Sequence, residues 1–194
     1  MREKSALQIL FTNRDNLVKA LNFVDESSAE ELKSIAKCIS EAISNGGKVL
    51  WCGNGGSAAE SQHMSAELIG RFMKLRKPLP SVSLTTDTSA ITAIGNDFSF
   101  NEIFERQVEG IGIKGDCLIG FSTSGNSENV YKAFSKARNL GIKTIGFVGF
   151  EKGKIGEVSN FILRVNSTET ARIQEVHTLL GHTLCQLIEA DFSS

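Results

Sequence analysis

Proline is almost missing from this 194-residue sequence: only Pro78 and Pro80 occur, both in the basic stretch Lys74–Pro80, which reads as a surface loop. Repeats and low-complexity segments are missing too, so nothing marks an interdomain linker, and the length suits one substantial core better than two. Residues 1–194 are therefore read as a single domain. Nowhere do about eighteen apolar residues run together, and Arg2, Glu3, Lys4 and Asp15 break up the N-terminal apolar residues, so neither a membrane span nor a signal peptide is expected. Neither sign of charge is in excess: 21 Lys plus Arg face 22 Asp plus Glu, a net charge of −1, which leaves no electrostatic footprint for nucleic acid or an anionic membrane. The four cysteines, Cys38, Cys52, Cys117 and Cys185, form no C-x-x-C pair and no metal spacing, which fits reduced thiols in the cytoplasm. An anionic ligand must then be captured by local groups rather than by net charge.

What is present is an alternation of helix-like and strand-like segments. Leu7, Leu10, Phe11, Leu17, Val18 and Leu21 recur at helical intervals within Ala6–Val24. A second helix is expected after the capping-box pattern Ser28-Ala29-Glu30-Glu31, with Leu32, Ile35, Ala36, Ile39 and Ile43 on one stripe and a stop at Asn45-Gly46-Gly47. Residues 1–46 thus form a helical hairpin whose additional apolar stripes suit a helical oligomer core. Across 47–194, five short apolar runs alternate mostly with helical stretches: Val49–Cys52, Val82–Leu84, Cys117–Phe121, Thr144–Val148 and Phe161–Val165. The pattern predicts an α/β fold, a doubly wound five-stranded parallel sheet flanked by helices, with ligands bound beyond the carboxyl ends of the strands.

Two glycine- and hydroxyl-rich turns sit at such ends. Gly53-Asn54-Gly55-Gly56-Ser57 follows the first strand, and Ser122-Thr123-Ser124-Gly125-Asn126-Ser127 follows the third. Backbone N–H groups and hydroxyls at a helix start bind a phosphate without net charge. The glycines alone are explained equally well by tight strand-to-helix turns, and Ser127 by an N-cap; two such loops in one chain weaken those readings. No G-K-[ST] and no full G-x-G-x-x-G spacing follows, which disfavours ATP and NAD. A monoester phosphate on a small substrate fits better.

His63 and Glu67 share one helical face four residues apart and suit a metal ion, although such a pair is more often an ordinary surface hydrogen bond. The last helix, from about Thr170, offers Gln174, His177 and His182. Gln174 and His182 are separated by roughly 12 Å of helix rise. Spacing does not rank the two histidines, either of which suits a buried structural role.

Taken together, Cys52-Gly53-Asn54-Gly55-Gly56-Ser57-Ala58-Ala59-Glu60-Ser61-Gln62-His63, Ala93-Ile94-Gly95-Asn96-Asp97, Ser122-Thr123-Ser124-Gly125-Asn126-Ser127 and Ala171-Arg172-Ile173-Gln174-Glu175 resemble the phosphoheptose isomerases of the sugar-isomerase (SIS) fold, which is flavodoxin-like. The resemblance covers nearly the whole chain. It implies aldose–ketose isomerisation of D-sedoheptulose 7-phosphate to D-glycero-D-manno-heptose 7-phosphate through a cis-enediol, in heptose biosynthesis for bacterial surface glycans such as lipopolysaccharide or capsule. It further implies a homotetramer with sites at subunit boundaries and one Zn²⁺ per subunit on His63, Glu67, Gln174 and His182. Glu67 would be the catalytic base and His182 its partner. Substrate contacts would come from Asn54, Gly55, Gly56, Ser57, Glu67, Asn96, Asp97, Ser122, Thr123, Ser124, Ser127 and Gln174. Ala171 departs from the acidic residue found there in some members, with Glu169 as a possible substitute. An isomerase of another ketose phosphate is the alternative enzyme. Outside enzymes, the alternatives are a phosphosugar-sensing module and a SIS-fold protein that associates with a replication initiator, but the latter lacks the carboxylate and the late histidine present here.

Overall fold

The computed structural model describes residues 5–193, so Arg2, Glu3 and Lys4 lie outside the described residues. Helices α1 (Ala6–Leu21) and α2 (Glu26–Ser44) form the N-terminal hairpin. The capping box of α2 lies one turn earlier than the sequence pattern placed it. Asp25 is the N-cap and accepts from the Ser28 N–H at 3.1 Å, while the Ser28 hydroxyl returns to the Asp25 N–H. The predicted stripe of α2 is buried in full, and the helix ends as expected, at Asn45 followed by Gly46 with φ of +86°.

The sheet contains β1 (Val49–Gly53), β2 (Ser81–Ser83), β3 (Cys117–Ser122), β4 (Lys143–Val148) and β5 (Phe161–Arg164), all parallel, in the order β2-β1-β3-β4-β5. Its helical connections are α3 (Gly56–Ile69), α4 (Thr88–Asp97), α5 (Ile103–Ile111), α6 (Glu128–Asn139) and α7 (Gly153–Glu157), and α8 (Thr170–Asp191) closes the chain. Strand alternation divides the interior in two. Val49, Trp51, Ile119, Phe121, Ile145 and Phe147 face a cluster with α2, α3 and α8; Leu50, Cys52, Leu118 and Val148 face one with α5, α6 and α7. The order in which strands are added reverses between the neighbouring strands β1 and β3, which makes their carboxyl ends the topological switch point and hence the place for a ligand.

The Lys74–Pro80 segment is only partly the surface loop that its composition suggested. Leu75 is almost fully exposed, but Leu79 and the Arg76 side chain are buried. Arg76 donates to the carbonyls of Glu67 and Leu68, both at 2.8 Å, and pairs with the buried carboxylate of Glu189 on α8. Glu189 in turn accepts the N–H groups of Phe72, Met73 and Lys74. No described helix is long and apolar enough to cross a membrane.

Candidate active site

Both glycine- and hydroxyl-rich loops lie at the switch point. After β1, Gly55 takes φ of +57°, and the Asn54 and Gly55 carbonyls accept the N–H groups of Ser57, Ala58 and Ala59 to start α3. The loop after β3 is braced by its own hydroxyls: Ser122 and Ser127 share a hydrogen bond of 2.9 Å, and Ser124 accepts the Asn126 N–H. Ser127 stands at the N-cap of α6, but its side chain makes no capping bond. Capping therefore does not explain its hydroxyl, which serves the loop instead.

The two loops are tied together by a residue that the sequence reading missed. Asn129, 2% exposed in the first turn of α6, exchanges two hydrogen bonds of 2.8 Å with the Asn54 side chain. Its Oδ1 also accepts the Val130 N–H. A buried asparagine is uncommon and must be paired, but nothing in a single sequence marks it as buried.

Helices α3 and α8 run parallel beside the first loop. Gln174 lies against Gly56, where a Cβ would stand 2.6 Å from its amide nitrogen, so a side chain at 56 would turn the end of the glutamine away. One turn along, Thr178 donates to Glu60 at 3.0 Å; a further turn along, His182 meets His63 with Nε2 atoms 3.2 Å apart. His63 Nε2 is also 3.3 Å from Glu67 Oε1, and Phe72 stacks on the His182 ring. The potential ligand atoms of His63, Glu67 and His182 all lie within 4.8 Å of one another, a donor set suited to a divalent transition metal.

This geometry separates the two C-terminal histidines. His177 is the structural one: it is buried against Phe121 and Phe147 with Nε2 at the Val148 carbonyl, and burial pushes its imidazole down to about 4. His182 joins the cluster. Gln174 stays two turns away at the loop end of the seam rather than at the three clustered groups. Asn96 and Asp97 are exposed at the end of α4, with the Asn96 amide bonded to Asp97 at 2.8 Å. Ala171 is exposed, and Glu169 is engaged by Asn16 of α1 at 2.7 Å.

Comparison with known proteins identifies relatives over most of the chain. The SIS domain model matches residues 14–149. The phosphoheptose isomerase of Aliarcobacter butzleri (strain RM4018) is 52% identical over 170 residues, 88% of this chain and 90% of that protein. That of Aquifex aeolicus (strain VF5) is 51% identical over 176 residues, 91% and 92% of the two chains. A solved phosphoheptose isomerase from Francisella tularensis superposes with a TM-score of 0.92 at 35% identity, covering 96% of this chain and all of that one. With the SIS fold and the paired loops in place, the chain belongs to the phosphoheptose isomerase family.

Proposed function

We propose that the chain interconverts D-sedoheptulose 7-phosphate and D-glycero-D-manno-heptose 7-phosphate in the cytoplasm, as one SIS domain over residues 1–194 assembled into a homotetramer. The observation that carries this reading is the juxtaposition of His63, Glu67 and His182 at one end of a seam that starts at a phosphate-type loop. Moving a proton between C1 and C2 through a cis-enediol needs a base and a second proton-transfer group. Glu67, a carboxylate with Oε1 3.3 Å from His63 Nε2, suits the base, and His182 suits the partner. Arg76 steadies Glu67 by holding its carbonyl.

The cluster fits zinc. Tetrahedral bonds of about 2.0–2.1 Å place ligand atoms about 3.3–3.4 Å apart; the His63–His182 and His63–Glu67 separations are 3.2 and 3.3 Å, and all three groups lie within 4.8 Å of one another, so Glu67 and His182 would close on the ion by side-chain rotation. His63, Glu67 and His182 would hold the ion, with Gln174 as fourth ligand. When bound, Zn²⁺ supplies polarisation and orientation of the substrate's carbonyl and hydroxyl oxygens.

The hydroxyls of Ser122, Thr123, Ser124 and Ser127, with Asn54, Gly55, Gly56 and Ser57, suit the phosphate and sugar hydroxyls; Asn96 and Asp97 complete the set of contacts. The rise of α3 from Gly56 to His63, about 10 Å, favours a long sugar phosphate over a short one. The retained Glu67 and His182 favour an enzyme over a binding module. The test is turnover of sedoheptulose 7-phosphate with and without Zn²⁺, against ribulose 5-phosphate, in wild type, Glu67→Gln and His182→Gln. Heptose 7-phosphate should form with wild type alone. Binding without conversion under every metal condition would move the chain to the non-catalytic class, and faster turnover of ribulose 5-phosphate would move it to the pentulose phosphates.

A further inference from the structure

Between the first loop and the three clustered side chains, the seam of α3 and α8 contains a carboxylate with one uncommitted oxygen. Glu60 Oε2 accepts the Thr178 hydroxyl, whereas Oε1 is buried and has no hydrogen-bond partner among the described residues. Oε1 lies 3.5 Å from where a Cβ on Gly181 would stand, so it points at α8 rather than at water. Leaving such an oxygen unpaired carries its full desolvation penalty, and a buried acceptor of this kind calls for a donor.

The seam supplies one. In register order, Gly56 faces Gln174, Glu60 faces Thr178 and His63 faces His182, so Glu60 stands one step from Gln174 and one step from the cluster. Thr178 already donates to Glu60, and Gly56 and Gly181 have no side chain. The Gln174 amide makes no side-chain hydrogen bond among the described residues; it rests on Gly56. An amide has two unlike ends, and only its oxygen ligates a metal. Zinc-ligating histidines are commonly oriented by an outer carboxylate that holds their second N–H, and an amide ligand offers its N–H to the same kind of partner.

We infer that Glu60 is a positioning residue for the fourth zinc ligand: its buried Oε1 accepts the Gln174 side-chain N–H when that side chain turns along the seam, leaving the amide oxygen facing the ion. The inference rests on the zinc reading above and accounts for two otherwise unpaired groups with one contact. It also explains how Gln174 and His182 converge although they lie two helical turns apart.

The test is a double-mutant cycle on Zn²⁺ affinity, measured on the purified full chain by competition with a chromogenic chelator. Glu60→Leu, which removes the acceptor, and Gln174→Ala should each weaken binding about ten-fold, and the double variant should bind no more weakly than Gln174→Ala alone. A purely structural role for Glu60 predicts the same loss in both backgrounds, and that result, or wild-type affinity in Glu60→Leu, overturns the assignment. A wild type that takes up no zinc overturns the zinc reading and the assignment together; additive losses in a zinc-binding wild type overturn the Glu60 role alone. If Glu60→Leu does not fold, Glu60→Asp, which withdraws the oxygen by one methylene, enters the same cycle.

Discussion

Asn129 shows at the scale of one residue how the site is held. Its side chain gives and takes a hydrogen bond with Asn54, and it lies in the first turn of α6, so the loop after β1 is fixed to the helix that follows the loop after β3. Asn129→Ala removes both bonds and leaves the Asn54 amide without its buried partner. A loss of about 1–3 kcal/mol should appear as a rise of roughly ten-fold in KM for the sugar phosphate with kcat little changed, because Asn129 orients a binding group and touches neither proton-transfer residue. A fall in kcat at unchanged KM, measured by initial rates, would place its effect on the chemistry instead.

Among the elements, the segment after α3 departs most from its sequence appearance. Its lysines and prolines mark a loop, yet Arg76 and Leu79 are buried. The partner that makes this possible, Glu189, lies more than a hundred residues away. Periodicity and turn chemistry read local structure, so the strands, both glycine- and hydroxyl-rich loops and the stripe of α2 were legible. Pairings across the fold, such as Arg76 with Glu189, Asn54 with Asn129 and Gln174 with Gly56, were not. The same limit explains why spacing could not choose His182 over His177: both lie on α8, and only packing sends one into the core. Burial raises the Glu189 carboxyl, but the N–H groups of Met73, Phe72 and Lys74 and the Arg76 guanidinium outweigh it and hold the group below its ordinary 4.5. A carboxylate depressed in the folded state stabilises the fold fully above its unfolded value and loses that contribution as pH falls through the folded value. Glu189→Gln should therefore cost about 3–5 kcal/mol near neutral pH, and its gap from wild type in thermal melts should narrow as pH drops below that of the free carboxyl. A gap that stays constant into acid would show that the anion is not what anchors the segment.

For the whole molecule, the single chain leaves apolar surface where a soluble monomer has least use for it. Leu7, Leu10, Phe11 and Val18 of α1 are 45–63% exposed, while Leu17 and Leu21 pack inward. The apolar side of α1 is therefore covered by this chain only toward its C-terminal end, and the exposed remainder is the surface that a second copy in the proposed tetramer would cover. The same incompleteness reaches the site. No residue of α4 is buried, and Asn96 and Asp97, proposed as substrate contacts, stand in the open at its end. A sugar phosphate held only by one chain would leave that side of the site to solvent, and water there weakens the electrostatic contacts on which proton transfer relies. Assembly through α1 and activity should then fall together. Phe11→Glu places a charge on that exposed surface without touching the core, so the chain should stay folded by circular dichroism and elute at a smaller mass in light scattering. Heptose 7-phosphate formation should drop with the mass. A folded, dissociated Phe11→Glu variant with full turnover would mean that each chain carries a complete site, and that the exposed face of α4 needs no neighbour.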